Sequence, residues 1–206
     1  ACETFRPVIG PDRPLIEVAF TIDTGFKLDC ACGTRVIDHT AFRCPNCGAD
    51  LEVIEYGGIF DGLVEFGNNV FILEHKTTSQ MGPSYFTQFK PNNQVTGYVW
   101  AAQSLTGGRV GGAYINAIAV LKSGLKFDRQ LSTRAEADIS RWLKDLVVEC
   151  NDIKSHQRGG HWPMRTPSCV QYGRCEFHDV HIIADPDYQK NRLEQDFVID
   201  PWDFEG

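Results

Sequence analysis

The predicted fold is organised around Val70-Phe71-Ile72-Leu73-Glu74-His75-Lys76, an apolar run that ends in an acid and a base two residues apart. The run predicts a β-strand. Because side chains alternate along a strand, Glu74 and Lys76 should share one face, and the side chain of His75 should lie on the other. A buried strand that ends in charged residues is typical of a functional site at the edge of a sheet.

A second strand is predicted just upstream, in Gly58-Ile59-Phe60-Asp61-Gly62-Leu63-Val64-Glu65. The turn Gly67-Asn68-Asn69 would join the two strands as a hairpin, which places Asp61 beside Glu74 and Lys76. Two carboxylates can hold Mg²⁺ or Mn²⁺, and a lysine beside them can orient or deprotonate a bound water. The E-x-K pattern alone is common, so an ordinary surface hairpin is the alternative interpretation.

The other periodic segments predict an α/β fold with a mixed central sheet flanked by helices. Strands are expected over residues 15–22, 51–54 and 114–121, and helices over residues 92–105 and 132–154. Ser132 is the expected N-cap of the second helix, whose apolar stripe includes Ile139 and Trp142. After residue 156 the sequence predicts mainly loops.

A compact insert is predicted over residues 26–51. It carries two cysteine pairs, Cys30-Ala-Cys32-Gly33 and Cys44-Pro-Asn-Cys47-Gly48. Four thiolates suit tetrahedral Zn²⁺, and the C-P-x-C-G pair resembles a knuckle of a zinc ribbon, although the first pair is C-x-C where C-x-x-C is commoner. Unpaired buried thiols are the alternative. Cysteines this close together favour a metal over disulfides, and hence a reducing, cytoplasmic setting.

Three motifs follow one another in the chain: Gly58-Ile-Phe-Asp61, Glu74-His-Lys76-Thr77 and Gln94-Val-Thr-Gly-Tyr98. Together they resemble the PD-(D/E)XK nuclease superfamily, and within it the RecB-type branch with its CRISPR-adaptation nucleases and phage exonucleases. The resemblance covers about residues 15–121. It implies a restriction-endonuclease-like core formed by residues 1–25 and 52–206, with the zinc ribbon inserted at 26–51. The histidine that RecB-type nucleases often carry upstream of the first strand is not found before Glu17.

The resemblance also implies roles for individual residues. Asp61 and Glu74 would be Mg²⁺ or Mn²⁺ ligands, together with the backbone carbonyl of His75, and Lys76 would be the catalytic lysine. Glu17 resembles the family's outer acid, with an edge-strand charge as the equal alternative. Two residues of the predicted helix would line the site and touch DNA, namely Gln94 and Tyr98, which lie one turn apart.

The C-terminal segment around Cys169 and Cys175 resembles the tail of RecB-type nucleases that carry an iron–sulfur cluster. A second metal site would use Cys2, Cys169, Cys175 and His181, and it would hold a cluster or Zn²⁺. A relic without metal is the alternative.

Length and composition fit one globular domain or a core with a small added module. The chain has 206 residues, 42% apolar and 23% charged, and no run approaches the ~20 apolar residues of a membrane helix. It opens at Ala1 without Met or a recognisable signal peptide, which leaves open a missing N-terminal region. The net charge of −7 counts only mildly against nucleic-acid binding, because a metal-dependent nuclease needs no more than a local basic patch.

The sequence thus favours a metal-dependent deoxyribonuclease, with an exonuclease of recombination, repair or phage replication as the leading hypothesis. Its partner would be DNA, as a single strand or as duplex ends, in a bacterial or phage-infected cell. The zinc-ribbon insert could also contact a replication or recombination protein. The alternatives are a structure-specific endonuclease that recognises flaps or junctions, and a catalytically silent binding module on the same fold.

Overall fold

A six-stranded mixed sheet forms the centre of the first of two compact units, Ala1–Ile153, and the second unit is Lys154–Gly206. The structure is a computed structural model that describes residues 6–8, 14–171 and 173–201. The strands are β1 Arg6–Pro7, β2 Ile16–Lys27, β3 Val53–Phe66, β4 Asn69–Thr78, β5 Val110–Leu121 and β6 Gly124–Ser132. The helices are α1 Asn93–Thr106, α2 Glu136–Gly159, α3 His178–His181 and α4 Pro186–Asp196.

The strand order is β1-β3-β4-β5-β6, and β2 also pairs with β3. β4 and β5 are parallel, whereas the other pairs are antiparallel. Parallel neighbours need a crossover, and α1 provides it between β4 and β5. Apolar residues of α1 share one buried cluster with residues of the sheet, among them Val95, Val99, Phe60 and Ile72. This arrangement confirms the predicted mixed sheet with flanking helices.

The β3–β4 hairpin forms where the sequence predicts it. Phe66 pairs with Asn69 across the turn, and Gly67 has a φ of 61°, a left-handed conformation that glycine adopts without strain. Val70 and Ile72 of β4 are buried, at 4% and 0% exposure. Burial of this apolar run fixes the register, because a slip of one residue would turn these side chains to the other face.

α1 matches its predicted range to within one residue, and its ends explain why. The side chain of Asn92 accepts a hydrogen bond from the backbone N–H of Val95 at 3.0 Å, which is an N-cap. Gly107 ends the helix in the left-handed conformation, with a φ of 71°.

Three predictions of secondary structure were wrong in detail. β3 is one continuous strand, where the sequence predicted a separate short strand at 51–54. β6 was not predicted, although Leu125, Phe127 and Leu131 alternate with polar residues along it; all its residues except Ser132 are exposed. α2 extends to Gly159, beyond the predicted end.

Ser132 does not cap α2, because it ends β6 and its hydroxyl is used elsewhere. The hydroxyl donates to the carbonyl of Phe89 at 3.0 Å and accepts from Arg134 at 2.8 Å. At the start of α2 the carboxylate of Asp138 instead accepts from the backbone N–H of Ala135 at 3.0 Å, which is one half of a capping box.

Residues 28–52 leave the sheet between β2 and β3 and form a small cluster of their own. Cys30, Val36, Cys44 and Leu51 are buried together there. The excursion matches the predicted insert at 26–51, and its status as a separate domain remains a prediction.

The second unit is built from short elements. A 3₁₀ turn at Thr166–Cys169 precedes α3 and α4, and Asp185 caps α4 by accepting from the backbone N–H groups of Asp187 and Tyr188. The sequence did not predict a second unit, since it indicated mainly loops after residue 156. Across the described ranges, none of the helices combines the length and apolar character needed to span a bilayer.

Gly97 lies inside α1, where Tyr56 and Trp142 approach the helix backbone. A Cβ at this position would lie 2.6 Å from Cζ of Tyr56 and 2.8 Å from Cζ2 of Trp142. Alanine normally favours a helix interior by about 1 kcal/mol over glycine, but here the overlap should dominate. We therefore expect Gly97→Ala to lower the free energy of unfolding by about 1–3 kcal/mol, measured by urea denaturation.

Gly82→Ala is the matched control for this substitution, because its added Cβ would meet nothing within 4 Å. It should leave the unfolding midpoint unchanged or slightly raised. A Gly97→Ala protein as stable as this control would contradict the close packing of Tyr56 and Trp142 on α1.

Candidate active site

The sheet divides at Asp61 and Glu74. The β3–β4 ladder ends at the pair Gly62–Leu73, and continuing the same register places Asp61 opposite Glu74. Beyond this point β3 stays paired with β2, and β4 stays paired with β5. The carboxylate of Asp61 accepts a hydrogen bond from the backbone N–H of His75 at 2.7 Å, so it lies in the fork between the separating strands.

Glu74 and Lys76 lie on one face of β4, as the alternation of side chains predicts. Their side chains form an ion pair, with 2.7 Å between Nζ of Lys76 and Oε1 of Glu74. The ring of His75 belongs to a different set of contacts, since its Nδ1 lies 2.9 Å from Nδ2 of Asn116. Asn116 Oδ1 accepts hydrogen bonds from the guanidinium of Arg129.

α1 brings Gln94 and Tyr98 to the same site. Nζ of Lys76 donates to Oε1 of Gln94 at 2.9 Å, and Nε2 of Gln94 donates to the hydroxyl of Tyr98 at 3.4 Å. The ring of Tyr98 packs edge-on against Phe20 and Phe60, with centroids 6.0 Å and 5.2 Å away. A chain of hydrogen bonds therefore runs from the aromatic core through Gln94 and Lys76 to the Glu74 carboxylate.

The Glu74 carboxylate is the most constrained charge of this group. It is only 4% exposed, and burial raises its pKa above the ordinary value, although the hydrogen bond and the charge of Lys76 oppose this shift. Its second oxygen, Oε2, is the one buried side-chain polar atom that lacks a hydrogen-bond partner among the described residues. Leaving such an atom unpaired costs about 1–3 kcal/mol or more, and a cation at this oxygen would remove the penalty.

Glu17 lies opposite Asp61 in the strand register, but in the described residues its carboxylate does not join those of Asp61 and Glu74 in one compact group. Its neighbours Ile16 and Val18 pair with Gly62 and Phe60, so Glu17 faces Asp61 along β2 and β3. It is exposed, and its φ of 49° marks a local distortion of β2. Within the described part of the chain, Glu17, Asp61 and Glu74 do not form a group of three ligand atoms within 4.8 Å of one another.

The four cysteines of the insert do form such a group, since their sulfur atoms all lie within 4.8 Å of one another. The sulfurs of Cys30 and Cys47 are 3.6 Å apart, and those of Cys32 and Cys44 are 3.7 Å apart. Sulfurs bound tetrahedrally at about 2.3 Å to one Zn²⁺ would be about 3.8 Å apart. Gly33 and Gly48 turn the backbone behind each pair with φ values of 87° and 73°.

The pKa values of these closely spaced thiols are shifted in opposite directions. The hydroxyl of Thr34 lowers the pKa of Cys32 to about 6, and the backbone N–H of Cys47 lowers the pKa of Cys44. For Cys30 the backbone N–H of Cys32 also lowers the pKa, but the Cys32 thiol and burial outweigh it and raise the value to about 12. Four thiolates this close together would repel one another, and a bound Zn²⁺ would supply the compensating charge.

The second predicted metal site is not assembled by the described residues. Cys2 lies outside them, and Cys169, Cys175 and His181 lie in the second unit. The backbone N–H of Cys175 donates to the carbonyl of Cys169 at 2.9 Å, but these three side chains do not form a metal-binding group in the described ranges. The cluster remains a prediction.

The sequence did not indicate that Tyr56, Asn93 and Trp142 surround a cavity beside Gln94. One signal was available. Gly97 falls within the Gln94–Tyr98 motif, and a glycine inside a helix often marks the close approach of another group.

Comparison with known proteins identifies the family. No curated protein matches the chain. A solved structure described as "Crystal structure of SSO0001" is similar, at 14% identity and a TM-score of 0.33, over 65% of this chain and 48% of that one, so the chain spans about half of its length. The family model of the PD-(D/E)XK nuclease superfamily matches residues 15–180, a range that includes both the fork and the cysteine insert. The chain belongs to the PD-(D/E)XK nuclease superfamily.

Proposed function

We propose that the protein is a Mg²⁺- or Mn²⁺-dependent deoxyribonuclease, and specifically an exonuclease that serves recombination, repair or phage replication. The observation that carries the nuclease activity is the unpartnered Oε2 of Glu74, buried beside Asp61 and the Lys76–Gln94–Tyr98 chain. A fold alone does not establish a reaction, but an intact set of acids and an amine at the fork supports one.

The residues that would hold the metal are Asp61, Glu74 and the backbone carbonyl of His75, with Glu17 as an outer acid. All offer oxygen atoms, which Mg²⁺ and Mn²⁺ prefer as ligands. A metal bound here would lower the pKa of a coordinated water and offset charge on the phosphate. The buried and partly unpaired Glu74 carboxylate is a suitable ligand, because burial has already removed most of its contact with water before a metal arrives.

Lys76 would orient the attacking water and offset the charge that develops on the phosphate oxygens. Its ammonium has three N–H donors, and Glu74 and Gln94 accept two of them. The third is left for water or substrate. Gln94 and Tyr98 would fix the direction of this lysine, so that no reorganisation is needed when charge develops.

DNA is the proposed partner, as a single strand or as the end of a duplex. The zinc-ribbon insert is the proposed contact for a replication or recombination protein, because its apolar residues Ile37 and Phe42 are 85% and 80% exposed.

The proposal can be tested with end-labelled single-stranded and double-stranded DNA in Mg²⁺, Mn²⁺ or EDTA. Cleavage should require a divalent metal, because the two carboxylates otherwise repel the phosphate. Circular DNA separates the alternatives, since an exonuclease leaves it intact and an endonuclease cuts it. Cleavage that persists in EDTA would refute the metal site, and binding without any cleavage would favour the silent module.

A further inference from the structure

Two cavities lie side by side on the first unit, between the start of α1 and one face of α2. The first, of about 440 Å³, is lined by Tyr56, Gln94 and Glu149 among others. The second, of about 260 Å³, is lined by residues that include Lys90 and Arg141. The two cavities share Asn93, Trp142 and Asp145, so they adjoin each other, and we call the two together the α1–α2 groove.

The groove begins at the candidate active site. Gln94 lines its first cavity and also accepts the hydrogen bond from Lys76 at 2.9 Å. Gln94 therefore belongs to both sites, and a ligand that spans them would pass this side chain. Together the cavities have the size of the sites that bind small molecules in proteins.

An aromatic wall lines the first cavity; it is formed by Tyr56, which is partly buried, and by Trp142, which is 8% exposed. The rings of Tyr56 and Trp142 lie 5.0 Å apart and meet edge to face. The Tyr56 hydroxyl rests on Gly97, one turn after Gln94 on the same side of α1. Burial raises the pKa of Tyr56 to about 12, so this hydroxyl remains protonated and can donate a hydrogen bond.

The two cavities differ in charge. Asp145 and Glu149 line the first cavity, where they would repel a phosphate but can accept hydrogen bonds from the amino groups of a nucleobase. Asp138 and Asp145 line the second cavity, but so do Lys90 and Arg141, whose cationic groups can bind a phosphate there. The nearby guanidinium of Arg134 is engaged elsewhere, since it donates to Thr96, Ser132 and Phe89.

We propose that the α1–α2 groove holds one unpaired nucleotide next to the scissile phosphate, with its base against Tyr56 and Trp142 and its phosphate toward Lys90 and Arg141. The inference rests on the proposed nuclease function and specifies its substrate. A base must leave the duplex before it can contact such a wall, so the substrate is a single strand or a frayed end.

An abasic site moved one position at a time through a single-stranded oligonucleotide tests this placement. We expect the rate of cleavage at a given bond to fall about tenfold when the abasic site occupies one fixed position relative to that bond, because one base–aromatic stack is lost. At other positions the rate should stay unchanged. A rate that is insensitive to the position of the abasic site would overturn the proposal.

Val148→Trp tests the groove from the protein side. Val148 lines the first cavity and is 58% exposed, so a larger side chain should fill the groove without disturbing the core. The variant should bind a fluorescein-labelled single-stranded oligonucleotide about tenfold more weakly, measured by fluorescence anisotropy in EDTA, and it should lose the positional abasic effect. Ser140→Trp is the control, because Ser140 is exposed and its position on α2 is nearly opposite to the groove.

The outcomes separate the groove from the nuclease activity. If Val148→Trp and Ser140→Trp bind and cleave alike while both remain metal-dependent nucleases, the groove proposal fails and the proposed function stands. If the wild-type protein cleaves no DNA but Val148→Trp alone weakens oligonucleotide binding, the groove stands and the proposed function fails.

Discussion

Cleavage of DNA by a Lys76→Met variant is expected to be about 10²–10³ times slower than cleavage by the wild-type protein, the loss seen when one preorganised donor to a developing negative charge is removed. Methionine keeps much of the length and apolar stem of lysine but has no charge and no N–H donor. The ion pair to Glu74 at 2.7 Å and the hydrogen bond to Gln94 at 2.9 Å would both be lost. The rate should be measured at saturating Mg²⁺ under single-turnover conditions.

Lys126→Met is the matched control for this experiment. Lys126 lies on the exposed strand β6, and its loss removes the same charge from the protein without touching the fork. The control should cleave at the wild-type rate. If both variants cleave alike, Lys76 has no role in the reaction, and if Lys76→Met fails to fold by circular dichroism, Lys76→Arg provides the second test because it retains the charge but not the geometry.

Removal of zinc from the insert should have the second large effect. Structural zinc in zinc-finger peptides contributes about 10–16 kcal/mol of apparent binding free energy at neutral pH, and much of it is folding free energy. The insert has a small buried cluster of its own, in which Cys44 is only 2% exposed, so few other contacts can hold it together. We expect one zinc per chain in the purified protein and its loss in Cys44→Ser.

Cys150→Ser provides the comparison for the zinc measurement. Cys150 lies in α2, and burial raises the pKa of its thiol, so it is not poised as a thiolate ligand. This variant should keep its zinc by elemental analysis, whereas Cys44→Ser should lose it and become sensitive to proteolysis over residues 28–52. A full zinc content in Cys44→Ser would contradict the four-cysteine site.

The hairpin and its charged ends could be predicted because two strong local signals agree there. An apolar run defines β4, a glycine-containing turn fixes its register with β3, and strict alternation then places Glu74 and Lys76 on one face. Gln94 and Tyr98 could be assigned to one helix face from their spacing. Their hydrogen bonds to Lys76 and to each other depend on how α1 packs on the sheet, and local sequence patterns do not specify this packing.

Other features could not be predicted because they depend on contacts between distant segments. β6 is an exposed edge strand, so the short alternation of its apolar residues is not tied to a buried face and gives only a weak signal. Serine commonly caps helices, but the tertiary hydrogen bonds of Ser132 to Phe89 and Arg134 override that preference. The α1–α2 groove joins residues from β3, α1 and α2, and its aromatic lining resembles ordinary core residues when only the sequence is considered.

The cysteine excursion leaves and re-enters the sheet at residues that pair with each other, Lys27 and Val53. Because the ends of such a loop already meet, its length contributes little to the cost of closure, about 0.6 kcal/mol for each doubling. During evolution an appendage attached at this point can be acquired, enlarged or discarded while the strands that carry Asp61 and Glu74 keep their alignment. Proteins built on the same two strands can therefore carry different insertions at this position.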